Sequence, residues 1–134
     1  MNDSQVEPMI LVVEDDADIR EAIVDVLEAR GYRVVTAANG QEGLARLREG
    51  ENPDLILLDL MMPVMDGTEF LASLRGSDVL TTVPIVLLSA WSGEAGREVE
   101  SMTAGFVKKP VTLDTLLEVV ERFCPPGGER TRAA

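Results

Sequence analysis

The run Leu55-Ile56-Leu57-Leu58, followed at once by Asp59, restricts the fold more than any other stretch of this chain. Four consecutive apolar residues suit a strand covered on both faces, as in a parallel sheet, rather than one that alternates between core and solvent. Pro53 precedes the run, and Pro63 and the Asp66-Gly67 pair mark a loop after it. The strand thus delivers a carboxylate at its carboxyl end, where open α/β sheets gather their ligand chemistry. Two readings of Asp59 are open at this point. Asp often caps the helix that follows a strand. Alternatively, an ionised Asp in that place needs a cation or a chemical role to offset its burial.

The rest of the chain repeats the theme. Residues 9–13 (MILVV) form a second continuous apolar run and end in Glu14, Asp15 and Asp16. Ile19, Ile23, Val26 and Leu27 then recur at helical spacing, with Asp16 as N-cap and Gly31 as the stop. Residues 32–36 (YRVVT) predict a β-branched strand. Asn39 and Glu42 have the spacing of a capping box, opening a helix through Leu44 and Leu47 to Gly50. After the organising strand, residues 67–74 predict a helix that buries Phe70, Leu71 and Leu74. Residues 83–88 (VPIVLL) predict a fourth strand with Pro84 at its beginning, ending on Ser89. From Trp91 to Thr103 the helical pattern is weak, because Gly93 and Gly96 lower helix propensity. Phe106 and Val107 form a brief fifth strand before Lys108, Lys109 and Pro110. A last helix runs from Thr112 to about Cys124 with Leu113, Leu116, Leu117 and Val120 on one face.

Strands alternating with helices imply a parallel sheet wrapped by right-handed crossovers. The expected fold is α/β, flavodoxin-like and doubly wound: (βα)5 with sheet order 2-1-3-4-5. A dinucleotide-binding glycine signature is absent after the first strand, where acids stand instead.

At 134 residues the chain predicts one domain, over 9–124, between a polar, disordered N-terminus (1–8) and a flexible tail (125–134). A formal net charge of −12 argues against unaided binding to nucleic acid or to an anionic membrane, since both need a cationic footprint. The single cysteine excludes an internal disulfide and fits a reducing compartment. No apolar run approaches the roughly 20 residues that span a bilayer, so a cytoplasmic location is expected. The absence of histidine removes Ser-His-Asp and Cys-His catalysis and histidine-based zinc sites.

Four predicted strands end in residues able to handle a phosphoryl group: Glu14 and Asp15, Asp59, Ser89, and Lys109. In a parallel sheet these lie along one edge. Carboxylates brought together repel and call for a divalent cation, and hard oxygen donors favour Mg²⁺. Lys109 supplies a fixed positive charge for phosphoryl oxygens and Ser89 a hydroxyl. Each also has a plainer reading, as a turn serine or as one of a solvated lysine pair.

With ILVVEDD, LILLDLMMPVMDG, VLLSA and FVKKP in that order, the chain closely resembles the receiver domain of two-component response regulators from Ile10 to about Phe123. By position, the resemblance makes Asp59 the phosphoacceptor. Asp15 becomes a direct ligand of Mg²⁺ (or Mn²⁺), Glu14 its partner acting through water, and the main-chain carbonyl of Met61 a further ligand. Ser89 matches the switch hydroxyl, Lys109 the phosphate-binding lysine, and Phe106 the switch aromatic, although Phe106 also reads as plain core. Asp16 remains a helix cap. The implied role is a phosphorelay receiver. It accepts its phosphoryl group from a histidine kinase or histidine phosphotransfer protein, then alters a docking surface formed by the fourth and fifth helices and the fifth strand. The implied effector is another protein, and the chain a monomer or a phosphorylation-dependent dimer, not an enzyme in its own right.

Departures from the family pattern bear on that expectation. The segment from Ser89 to Lys109 is short and contains glycines, and Val111 replaces a common aromatic. Met61 and Trp91, two residues beyond Asp59 and Ser89, are large and apolar at places that tune water access in the family. Slow self-dephosphorylation is expected from them. Nothing after Cys124 predicts a folded output domain, so a chain that ends here acts by docking, whereas in an excised fragment the tail begins a linker. Two rivals stand beside this reading. A pseudo-receiver would dock without phosphorylation, but no member of the acceptor set is missing. A phosphatase of the haloacid dehalogenase type usually carries a second Asp two residues after its nucleophile, where this chain has Met61.

Overall fold

A computed structural model describes residues 7–50, 52–59, 69, 70, 72, 83–89, 105–108 and 112–125, with the backbone alone described for Ser89, Gly105, Phe106 and Lys108. In order these form β1 (Met9–Val13), α1 (Ala17–Ala29), β2 (Arg33–Ala37), α2 (Gly40–Arg48), β3 (Leu55–Asp59), β4 (Ile85–Ser89), β5 (Gly105–Lys108) and α3 (Leu113–Phe123). All four strand pairings are parallel, in the order β2-β1-β3-β4-β5, as the alternating pattern predicts.

The continuous apolar runs are explained by two cores, one on each face of the sheet. Ile10, Val12, Leu55, Leu57, Val86, Leu88 and Val107 pack with Ile23 and Leu27 of α1 and Leu116, Leu117 and Val120 of α3. Their alternates Leu11, Val13, Ile56, Leu58 and Leu87 pack on the other face with Leu44 and Leu47 of α2 and with Phe70. Because side chains alternate along a strand, a strand buried on both sides must be apolar at every position. Every residue of β1 and β3 is buried.

Two residues assigned to apolar helix faces lie outside the core. Ile19 and Leu113 are 40% and 42% exposed. Both stand in the first turn of their helices, level with the strand ends, where the sheet no longer offers a surface to cover them. The predicted β2 shifts by one residue. Tyr32 instead completes the stop of α1, in which the Gly31 N–H donates to Glu28 and the Tyr32 N–H to Leu27. Gly31 has φ 94°, the left-handed conformation this motif requires. β4 starts two residues later than expected, and the Pro84 carbonyl before it accepts the Ile56 N–H at 3.1 Å.

The caps follow the sequence closely. Asp16, Asn39 and Thr112 accept the N–H groups of Ile19, Glu42 and Thr115. The Glu42 carboxylate, however, reaches back to the N–H of Ala38 rather than to that of Asn39. At the far edge of the sheet, Asp54 and Met9 exchange hydrogen bonds that join the starts of β1 and β3: the Met9 N–H donates to the Asp54 carboxylate and the Asp54 N–H to the Met9 carbonyl. The predicted burial of Leu71 and Leu74, the segment 91–103 and the tail from residue 126 fall outside the described residues. Phe70 is fully buried. Among the described residues, no helix is long and apolar enough to cross a membrane.

Candidate functional site

Parallel pairing aligns the carboxyl ends of the strands and so builds the site. Val13 pairs with Leu58, which sets Glu14, the residue that follows β1, beside Asp59 at the end of β3. Asp59 pairs with Leu88, leaving Ser89 one step further along β4, and Ser89 pairs with Lys108. Acids from the ends of β1 and β3 and the backbones of Ser89 on β4 and Lys108 on β5 therefore share one edge of the sheet. Phe106 pairs with Leu87, two residues before the Ser89–Lys108 pair.

Glu14, Asp15 and Asp59 bring carboxylate oxygens within 4.8 Å of one another. Glu14 and Asp59 are only 1% and 2% exposed, whereas Asp15 faces solvent. Two unit charges at that separation repel by roughly 3 kcal/mol at an effective dielectric near 20. Such a cluster is stabilised by a cation. An octahedral ion with ligands at about 2.1 Å spaces its donor oxygens about 3 Å apart along an edge and about 4.2 Å across the centre. Oxygens within 4.8 Å of one another are on the scale of those spacings, and the donors are all hard oxygens. The residues fit a Mg²⁺-sized ion.

The turn carrying the acids, residues 14–16, is held by several hydrogen bonds. The Glu14 N–H donates to the Ala37 carbonyl of β2 at 3.0 Å. The Glu14 carboxylate accepts the Asp16 N–H at 3.1 Å, and Asp16 caps α1. Arg20 closes the set: its Nη1 donates to the Glu14 carbonyl at 2.8 Å and lies 3.5 Å from the Asp15 carbonyl. Sequence reasoning missed Arg20. Its one visible signal is a cation in the first turn of a helix, the end at which the macrodipole disfavours positive charge.

Of the residues expected at the site, Glu14, Asp15 and Asp59 converge, while Ser89 and Phe106 are located by their backbones alone. Met61, Trp91 and Lys109 lie outside the described residues.

A doubly wound five-stranded sheet with an acidic cluster at its carboxyl edge places the candidate site where open α/β folds bind their ligands. Comparison with known proteins defines the class. The chain matches the response regulator receiver domain family over residues 10–121, and it belongs to that family. It is 42% identical over 120 residues to the transcriptional regulatory protein AfsQ1 of Streptomyces coelicolor, covering 86% of this chain and 52% of AfsQ1. Among solved structures, chemotaxis protein CheY4 of Vibrio cholerae superposes with a TM-score of 0.81 at 31% identity, covering 88% of this chain and 99% of that one. The response regulator TrrA of Thermotoga maritima, solved in complex with Mg²⁺-BeF, superposes with a TM-score of 0.75 at 34% identity, covering 87% and 98%. The chain spans about half the length of several transcriptional regulators it matches. The family assignment supports a receiver role in a phosphorelay, and it favours neither the phosphatase nor the pseudo-receiver alternative.

Proposed function

We propose that this receiver domain takes a phosphoryl group onto Asp59 from a phosphohistidine on a histidine kinase or a histidine phosphotransfer protein. The observation that carries the proposal is the convergence of Glu14, Asp15 and Asp59 at the carboxyl ends of β1 and β3. Glu14, Asp15, Asp59 and the main-chain carbonyl of Met61 would hold Mg²⁺ or Mn²⁺. Bound there, the ion offsets the repulsion among the carboxylates and draws charge from the phosphoryl oxygens.

The transfer balances without an acid or a base on this chain. A carboxylate oxygen of Asp59 forms a bond to phosphorus, the P–N bond of the phosphohistidine breaks, and the imidazole nitrogen keeps the electron pair. Lys109 places its positive charge against the phosphoryl oxygens, and Ser89 donates its hydroxyl to one of them. The same hydroxyl shift lets Phe106 move inward, altering the face built from β5 and its neighbouring helices, where a protein effector docks. Water later attacks phosphorus, returning the carboxylate and inorganic phosphate. Met61 and Trp91 limit that attack by covering the approach. Activity on free small substrates is not part of the proposal, because no acid/base Asp stands two residues after Asp59. The absence of histidine makes the phosphohistidine donor another protein, the net charge of −12 fits output by protein contact rather than by nucleic-acid binding, and the single cysteine fits a cytoplasmic location.

The relative TrrA supports the metal reading, having been solved with Mg²⁺-BeF. The corresponding test is ¹⁹F NMR of this chain with beryllium fluoride and Mg²⁺. A protein-bound fluoride signal that requires both Mg²⁺ and Asp59 is the expected result. Its persistence in Asp59→Asn would overturn the assignment of the acceptor.

A further inference from the structure

We infer that Arg20 is a positioning residue for the acidic cluster, fixing where the Glu14 and Asp15 carboxylates stand by holding their main-chain carbonyls. The inference rests on the cation-binding reading of that cluster. Asp15 is exposed, and its carboxylate has no hydrogen-bond or ion-pair partner among the described residues. Among these residues, its place is set by its backbone. That backbone belongs to the three-residue turn between β1 and α1. The turn is tied to β2 by the Glu14 N–H, to itself by the Asp16 N–H, and to the helix by the Asp16 side chain. The carbonyls at 14 and 15 both face one guanidinium nitrogen, that of Arg20, at 2.8 and 3.5 Å.

A cation in the first turn of α1 opposes the helix dipole, so helix stability does not account for Arg20. At a cation site Arg20 exerts two opposed effects. Its charge repels a divalent ion, while its hydrogen bonds hold the donors in place. The donated N–H groups meet carbonyl oxygens, which disperse the charge, and solvent at the exposed side screens it further. Positioning is the larger effect, and the sign of one measurement separates the two.

The experiment is Mn²⁺ binding, followed by loss of the free-ion electron paramagnetic resonance signal, on the full chain and on Asp15→Asn, Arg20→Met and Arg20→Lys. The expected result is affinity lowered about tenfold in Arg20→Met, the usual scale for residues that orient metal ligands. Arg20→Lys, which keeps the charge but loses the reach and planar geometry of the guanidinium, is expected in between. Arg20→Met binding as tightly as the unaltered chain, or more tightly as a charge effect alone requires, overturns the inference. Should Arg20→Met fail to fold, Arg20→Lys decides: weaker Mn²⁺ binding at unchanged melting temperature supports positioning, and equal affinity overturns it. Equal binding by the unaltered chain and Asp15→Asn would instead overturn the reading of the cluster itself, and the inference with it.

Discussion

Gly43 and Phe70 lie so close that a methyl group at 43 would stand 2.9 Å from Cε1 of Phe70 and 3.3 Å from Cγ2 of Val13. Phe70 is fully buried, and Val13 directly precedes Glu14, so the ring is wedged between α2 and the strand that carries the acids. Two effects compete in Gly43→Ala. Helix propensity favours Ala by about 1 kcal/mol, whereas overpacking a closed core costs about 1–3 kcal/mol. Overpacking wins because the obstacle is the edge of a buried ring rather than a mobile side-chain end. Urea unfolding is expected to show a net loss of about 1 kcal/mol.

The opposite end of the sheet carries a second long-range tie. The Tyr32 hydroxyl donates to the main-chain carbonyl of Cys124, and Arg30 pairs with Glu121 at 2.7 Å, joining α1 to the end of α3. The ion pair is largely exposed and contributes little. The buried hydrogen bond matters more. Tyr32→Phe leaves that carbonyl without the phenol and is expected to cost about 1–2 kcal/mol. Burial, followed by the neighbouring Cys124 and Glu121, pushes the Tyr32 phenol above its ordinary pKa. Because the folded-state value is raised, the contribution is intact below about pH 10, the unfolded value, and is lost as pH rises toward the folded one. Urea midpoints from pH 8 upward should show the unaltered chain losing its advantage over Tyr32→Phe above that point.

Mg²⁺ should stabilise the fold by mass action. At ten times its dissociation constant the gain is about 1.4 kcal/mol, or roughly 3–5 °C in a chain of this size. Asp15→Asn removes an exposed carboxylate of the proposed cation site and no described hydrogen bond of that carboxylate, so the metal-free melting temperature should barely move while the Mg²⁺ increment disappears. Calorimetry with and without Mg²⁺ tests this; an equal increment in Asp15→Asn would contradict it.

Met61 and Trp91 stand two residues beyond Asp59 and Ser89 in sequence. If they cover the phosphoryl group, replacing both with small polar residues shortens the lifetime of the phosphorylated chain. Decay followed by phosphate-affinity electrophoresis measures it, and an unchanged half-life would remove these two residues from the account.

β1 and β3 were legible because burial on both faces leaves an unbroken apolar run, whereas the edge strand β2 showed in its β-branched residues and the sheet order in the fivefold strand–helix alternation. Asp16 and Asn39 were legible for a related reason: a cap is a local bond between residues three apart. Ile19 and Leu113 misled because helical spacing records which side of a helix is apolar, not how far the sheet extends beneath it. Glu14, Asp15 and Asp59 could be grouped from sequence only through a parallel sheet, whose register carries each to the same edge. Arg20 escaped because its partners are main-chain carbonyls, which leave no trace in residue identity. Tyr32 with Cys124, and Gly43 with Phe70, escaped because long-range contacts of single residues have no periodicity.

The central claim is that Asp59 receives a phosphoryl group with the help of a divalent cation. Intact-mass spectrometry after incubation with acetyl phosphate and Mg²⁺ tests it most directly, beside Asp59→Asn and a sample with chelator. The account predicts a single phosphoryl adduct that disappears both without Mg²⁺ and in Asp59→Asn. An adduct that survives either change would contradict it, as would no adduct on a chain shown to bind Mg²⁺ and then offered a phosphorylated histidine kinase.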